Sequence, residues 1–600
     1  MRTMIIGVVL GLAAAVAMPQ ELDLNVHVDP LRRAYFGDLH LHTSNSLDAT
    51  WAGVRTTPAE AYTYAQGLPV RYFGREVKRR VPLDFLAVSD HAEYMGVTRA
   101  MLDKHPEFEG TNWYESLTTG NRPGFDKLMA GVFRGAAPLP ELNSETTRRT
   151  TWSEVVRVAN QFNRPGKFTA LVAFEWSDTP GGAHNHRVSI FRGPVYPELP
   201  FSALDSRNPL DLWRYADANR ARGIDSVLIP HNSNLSNGVQ FSYLGPDGQP
   251  MGREYAQVKA RNEGLVEVTQ VKGTSETHPL LSPNDEFAGF EILEHYIGDK
   301  KAAIDGSYVR QAYARGMEIA ERIGVNPFQF GMVGSSDYHS GTSATEEDND
   351  TGALGDSDYP FGENVSKVLN ANNPLLRQPM AVLSASGITG VWAEQNTRES
   401  IFAALRRKEV FATSGPRLQV RLFAGFDYPL GLVNRSDFVA QGYAKGVAMG
   451  GTLQHAPAGK GSPRFLVQAL KDPDGANLDR VQIVKVWRAG GQSHEKVFDV
   501  AWSGNRKIDA RTGKLPEVGN TVDLKTATYS NTIGSAQLAG EWVDPAFDPA
   551  APAVYYARVI EIPSPRWPTF LAVRNNLPLP TATPPTLQER AWTSPVFYQP

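Results

Sequence analysis

Seven short runs of apolar and β-branched residues, each carrying ionisable side chains toward its end, set the strongest constraint on how this chain folds. They are YFGDLHLH, DFLAVSDH, FTALVAFEWS, SVLIPHN, LVEVTQVKG, GFEILEHY and FGMVGSSDYH, spread from Tyr35 to His339. Between several of them lie amphipathic stretches such as DLWRYADANRARG (211–223) and SYVRQAYARGMEIAERIG (307–324). The second places Val309, Tyr313 and Met317 at helical spacing and offers Gly324 as a stop. Strand–helix alternation of this kind predicts a parallel α/β architecture over residues 30–415. In a barrel of that class, reactive side chains gather at the carboxyl ends of the strands.

The histidines follow this rule. Of thirteen, eleven precede residue 420, and many close a candidate strand beside a carboxylate. Residues two apart on a strand share a face, so His40 and His42 leave the first run together. Asp337 and His339 form a second same-face pair, Asp90 and His91 end the second run, and Glu175 ends the third. His184 and His186 follow soon after, and His231 closes SVLIPHN. Burying this many imidazoles and carboxylates together is costly unless they are paired or hold cations. The pattern therefore points to clustered divalent metals on nitrogen and oxygen ligands, of the zinc, manganese or iron type, with Glu175 able to bridge two ions.

Composition narrows the class further. The 600 residues carry no cysteine, which excludes disulfides, thiolate nucleophiles and Cys-ligated zinc. Acidic and basic residues nearly balance, 64 against 60, so no nucleic-acid surface is expected. No phosphate-binding loop of the nucleotide-hydrolase spacing is present. The opening MRTMIIGVVLGLAAAVAMPQ, with its early Arg2 and small residues Ala15 and Ala17, reads as a signal peptide over residues 1–17. Its apolar run is short of the roughly 20 residues that span a bilayer. The expected setting is export to a periplasm or beyond, with no membrane span after cleavage.

NTRESIFAALRRKEVFATSGPR (396–417) reads as a closing helix capped by Asn396 or Thr397. After Pro416 the runs RLQVRLFAG, RFLVQALKD, RVQIVKVWR, EKVFDVAWSG and VYYARVIEI alternate in steps of two. They predict an antiparallel β domain over 416–600, packed on the first, with the proline-rich last 25 residues wrapping the surface. Residues 96–150 and the acidic stretch 341–360 read as insertions, the second of them placed to serve as a lid.

The order H-x-H, S-D-H, Glu, P-H-N, D-x-H resembles the polymerase and histidinol phosphatase (PHP) superfamily of metal-dependent phosphoesterases. More closely, YFGDLHLHTSNSLDA, PHNSNLS, QVKGTSE, GVNPFQFG, GVWAEQNTRESIF and RAWTSPVFY resemble the branch called domain of unknown function 3604, over about 33–599. The resemblance implies a distorted (β/α)7 barrel, two or three divalent metals, and a metal-activated water acting on a phosphate mono- or diester. It implies His40, His42, Glu175 and Asp337 at a first metal, Glu175 and His231 at a second, and His91 and His339 at a third. Asp337, His339 and Glu175 would be the catalytic core.

Asp48 stands where many superfamily members carry a histidine, which puts the third metal in question. His186, in preference to His184, fills a further ligand position, and Asp90 is either a ligand or an orienting partner of His91. Lys272, Arg187 and Arg310 are candidates to bind the phosphate, and Glu276 and His278 to reach the site. Two other readings stay open. One is a metal-dependent amide, carbamate or carboxylic ester hydrolase, since amidohydrolases also begin with H-x-H. The other is a non-catalytic, metal-stabilised protein binding a glycan or a partner protein.

Overall fold

The computed structural model describes residues 23–600 apart from 24, 112, 116–138, 294–300, 374–377, 458 and 460. The signal peptide, the middle of the first insertion and the end of GFEILEHY lie outside the described residues. Nine strands build the region around the histidines: β1 (Arg33–Leu41), β2 (Phe85–Val88), β3 (Thr169–Asp178), β4 (Asn185–Phe191), β5 (Ser226–His231), β6 (Leu265–Gln270), β7 (Gly331–Gly334), β8 (Ile388–Ala393) and β9 (Val410–Thr413). β2 is FLAV, buried at every position, as a strand covered on both faces requires. The helices Pro209–Ala221 and Val309–Ile323 fall on the predicted stretches, and Gly324 ends the second in the left-handed conformation with φ 71°. Thr397 caps the helix Arg398–Arg406 by accepting from Ser400 N–H.

The sheet topology departs from a closed, all-parallel barrel. β1–β2 and β2–β3 pair in parallel, but β3–β4 and β4–β5 pair antiparallel. β5 is the edge of this large sheet, and it contains Pro230, which has no N–H to extend a ladder. β6 and β7 pair in parallel within a separate three-stranded sheet. That small sheet returns to β1 through a parallel bridge between Leu41 and Tyr338 and through Asp337 N–H donating to the His40 carbonyl. The described part of GFEILEHY, residues 289–293, forms a turn ending in a single bridge at Ile292, not a strand.

Beyond β1 the same sheet runs on through β8 and β9 into Arg590–Thr593 and Ala553–Glu561. The change of character at Pro416 is therefore a change of pairing partners and not a break in the sheet. A second, four-stranded antiparallel sheet contains Gln419–Gly425, Arg464–Leu470 and Gln537–Val543. The last residues do not wrap the surface. Arg590–Thr593 and Val596–Gln599 are buried strands, because RAWT and VFY supply apolar side chains on both faces. No helix among the described residues is long and apolar enough to cross a membrane.

Candidate metal centre

β1 delivers the first two histidines. Alternation along YFGDLHLH sends Asp38, His40 and His42 to one side while Leu39 and Leu41 enter the core. Gly37 sits where any Cβ would lie 2.2 Å from the Phe85 ring, so β1 and β2 approach closely only because the side chain is missing. Asp38 then ties the strand to the segment after β7, accepting from Ser336 N–H at 3.0 Å and Ser343 Oγ at 2.7 Å. That segment carries Asp337, which holds a left-handed backbone, φ 51°. Aspartate tolerates this region better than most residues, and such geometry concentrates at functional sites.

The side chains meet in three overlapping buried groups: His40, His42, Glu175 and Asp337; Glu175, His186 and His231; and His42, His91 and His339. In the first, Nε2 of His40 and Nε2 of His42 are 3.1 Å apart. Both face Glu175 Oε2, at 3.3 and 3.1 Å, and Asp337 Oδ1, at 3.1 and 3.2 Å. In the second, Glu175 Oε1 lies 2.9 Å from His186 Nδ1 and 3.0 Å from His231 Nε2. Glu175 thus belongs to two groups through its two oxygens.

Hydrogen bonds behind the ligands fix which lone pairs point inward. His40 Nδ1 lies 3.0 Å from Glu267 Oε2, a carboxylate that can only accept, so that nitrogen carries the proton. Ser46 Oγ donates to Asp90 at 2.7 Å and lies 2.8 Å from His42 Nδ1, which must then be the donor. The two Nε2 atoms face each other and two carboxylate oxygens, and although burial opposes it, Asp337 and Glu267 raise the His40 imidazole well above its ordinary value. Four such atoms within about 3.3 Å call for a positive charge among them, which a proton or a divalent metal ion can supply. The donor chemistry, nitrogen and oxygen without sulfur, fits a divalent metal.

A similar pattern recurs at the third group. His339 Nδ1 faces the Asp337 carbonyl at 3.1 Å, and its Nε2 lies 2.8 Å from Asp48 Oδ2. His91 Nε2 is 3.3 Å from the same oxygen. Asp48 therefore stands between two imidazoles as an oxygen donor, so its presence in place of a histidine changes the donor type without emptying the position. Buried atoms without partners include His186 Nε2 and His231 Nδ1.

Electrostatics point the same way. Burial alone would raise the Glu175 carboxyl, but His91 and His231 hold it well below the usual carboxylate range. Burial opposes charge on His91, yet Glu175 and Asp48 outweigh it and carry that imidazole up to about 10. A metal ion binding to such a site would displace those protons.

The family model described as "Protein of unknown function (DUF3604)" matches residues 29–600. The chain belongs to the DUF3604 family. No curated protein matches it. A crystal structure of a two-domain protein from Bacteroides vulgatus ATCC 8482, described as containing a "predicted PHP-like metal-dependent phosphoesterase", aligns with 80% of this chain and 90% of that one. Identity is 11% and the TM-score 0.28, a likeness too loose to fix a shared fold.

Not every expected residue of this DUF3604 chain reaches the centre. Arg187 neighbours His186 on β4, so alternation turns it to the opposite face, where it pairs with Glu263 at 2.8 Å. Arg310 is buried against Glu276 at 2.6 Å and Asp285 at 2.8 Å, and Glu276 is also held by Arg558, Tyr556 and Trp592. Both arginines are neutralised, and neither is placed to meet a phosphate. Asp90 is no ligand either: its oxygens accept from Thr43 N–H, Thr43 Oγ1 and Ser46 Oγ, so it supports His42 through Ser46. His278 packs its ring on Tyr308. Lys272 does lie beside the centre, in the field of Glu267 and Asp337, and burial brings its ammonium down to about 7.

Glu267 and Gln270 also touch the cluster, through His40 and Asp337, and the motifs gave no sign of them. Gln270 donates to both Asn232 and Asp337. Their signal was present in LVEVTQ, where a glutamate interrupts an otherwise apolar strand and shares its face with Thr269.

Proposed function

We propose that this protein is an exported metal-dependent hydrolase whose reaction is cleavage of a phosphate mono- or diester. The observation that carries the reading is the set of inward-facing acceptor atoms on His40, His42, Glu175 and Asp337, joined to two further groups through Glu175 and His42. Two or three divalent ions held there would acidify a water molecule and polarise a phosphoryl oxygen. Glu267 and Ser46 accept from Nδ1 of His40 and His42, which leaves the two Nε2 atoms to hold a metal once any proton there is displaced. Glu175 keeps its charge at any working pH and contributes one oxygen to each of two groups. Lys272, beside Asp337, supplies positive charge toward an anionic substrate. The bridging group is a carboxylate, which favours the phosphoesterase over an amidohydrolase-type arrangement built on a modified lysine.

In this reading β1 to β7 form a distorted (β/α)7 barrel left open between β5 and β6, and the Leu41–Tyr338 bridge supports it by returning β7 to β1. Residues 1–17 would direct the chain out of the cytoplasm. The test is hydrolysis of chromogenic aryl phosphate mono- and diesters by the mature chain after manganese or zinc loading, with and without chelator. Chelator-sensitive turnover that is lost in Asp337→Ala is expected. Absence of turnover on every phosphate ester, with metal demonstrably bound, would refute the phosphoesterase.

A further inference from the structure

A cavity of about 350 Å³ lies apart from the histidines, in the range of small-molecule sites. Its walls come from the segment 345–348, the turn 415–417 and C-terminal residues including Asp472, Tyr529, Glu561, Phe570 and Glu589. Seven carboxylates line it against three guanidinium groups.

Those guanidinium groups already have partners, one of them within the cavity wall. Arg79 donates to the Val81 and Ser343 carbonyls and to Thr345 Oγ1, Arg80 pairs with Asp348, and Arg417 pairs with Asp84. Arg566, behind the cavity, is matched to Glu291 at 2.7 Å. Glu561 is 1% exposed and Glu589 3%, yet among the described residues neither is in an ion pair. Oε1 of Glu561 has no hydrogen-bond partner at all. A buried carboxylate oxygen without a donor is costly, and a cavity at that position can admit the missing donor.

Burial raises the carboxyls of Glu561, Glu589 and Glu347 well above their usual range, and their acidic neighbours add to it: Asp472 acts on Glu561, Glu291 and Glu561 on Glu589, and Glu589 and Glu291 on Glu347. Tyr529 senses the same group, being raised to about 12 by burial and then by Glu561, Asp348, Asp472 and Glu589. Among the described residues every cluster close enough to grip one metal ion belongs to the histidine centre, so these acids are too far apart for a bare ion. Phe570, Tyr529, Pro416 and Pro565 add apolar and aromatic wall, which suits methylene groups and the face of a cation.

We propose that this cavity binds a small organic cation with two positively charged groups, a diamine or an aminoalkyl guanidine, one of them at the unpartnered oxygen of Glu561 and the other among the remaining carboxylates of the wall. The ligand supplies the donor that Glu561 Oε1 lacks, and its chain packs on Phe570 and the prolines. Because Glu347 lies eight residues after His339, an occupied cavity would also tether the loop that leaves the metal centre to the C-terminal strands.

Isothermal titration calorimetry of the full mature chain with 1,4-diaminobutane, spermidine and agmatine tests this, with sodium chloride at matched ionic strength and calcium chloride as controls. One saturable site per chain is expected for at least one amine, weakened tenfold or more in Glu561→Gln and in Glu589→Gln. Circular dichroism and metal content should stay unchanged in both variants. If Glu561→Gln does not fold, Asp474→Asn at the exposed rim should weaken binding about threefold. Three outcomes would overturn the proposal: no saturable binding of any amine, binding indifferent to the variants, or calcium saturating the variant-sensitive site in place of the amines.

Discussion

Replacing Glu267 with glutamine isolates the contribution of one carboxylate that touches no other centre residue but His40. In the native chain Glu267 Oε2 lies 3.0 Å from His40 Nδ1, and His40 is fully buried. The carboxylate fixes the imidazole tautomer and strengthens Nε2 as a donor to a metal. Glutamine keeps the shape and can still accept from Nδ1 through its amide oxygen, but it removes the charge. Its NH2 group would then occupy the position of Glu267 Oε1, which has no hydrogen-bond partner, and the attraction between Glu267 and Lys272 is lost. Removal of such a partner weakens metal affinity about 10- to 100-fold, or about 1.4–2.8 kcal/mol. The loss should fall on the group containing His40 and spare the one formed by His42, His91 and His339. Competition titration against a fluorescent chelator, combined with elemental analysis, should show one weakened class of site and one intact class. Affinity unchanged within twofold, or equal weakening of every ion, would refute the assignment of His40 Nε2 as a ligand held in place by Glu267.

Four other consequences are open to measurement. Asp48→Ala should lower bound metal by one equivalent per chain while the sites built on Glu175 remain filled, measured by elemental analysis after gel filtration. Chelation should lower the melting temperature in scanning calorimetry, each ion present at about 100 times its dissociation constant having contributed about 2.7 kcal/mol; a melt indifferent to chelator would count against resident metal. Burial tends to raise the Glu263 carboxyl, but Lys259 and Arg187 outweigh it and hold it at about 2, so its stabilisation is complete above its ordinary value of 4.5 and is lost as pH falls toward 2. Glu263→Gln should therefore cost about 3–5 kcal/mol at pH 7, by stranding two buried cations, and flatten the acid limb of a urea-denaturation profile. Arg187→Met should likewise change stability and leave kcat/KM on a phosphodiester unaltered.

The metal-centre residues were legible because their signal is local. H-x-H and D-x-H are same-face pairs within a single strand, and β-strand alternation fixes their direction without knowledge of neighbours. Arg187 and Arg310 were misjudged because a cation one residue from a ligand, or on a helix near the site, is turned toward or away from it by packing. Glu263, 76 residues from Arg187, decides that outcome, and no pattern links the two. The parallel character of β1, β2 and β3 followed from strand–helix alternation. The antiparallel β4 did not, because it follows β3 through a short turn and no helix. The sheet membership of the C-terminal strands was hidden for a similar reason: alternating strands announce antiparallel pairing but not which sheet they join. RAWT and VFYQ are too short, and too close to prolines, to declare themselves as buried strands.

The continuity of the large sheet bears on the order in which this protein can be assembled. β1 is among the first segments of the described chain to be synthesised, and its neighbour on one side, β8, begins at Ile388. The next strand, β9, is itself completed by Arg590–Thr593, ten residues from the chain end. Asp38 takes its hydrogen bond from Ser336, 298 residues away. Such long-range closure is slow, because the entropy of each loop is lost before its contacts form. The sheet around the histidines of β1 is therefore complete only once the last strands are made, and any metal held there would be captured late in folding. A truncated chain stopping near residue 415 would leave β9 as a bare edge, open to pairing with another copy of itself.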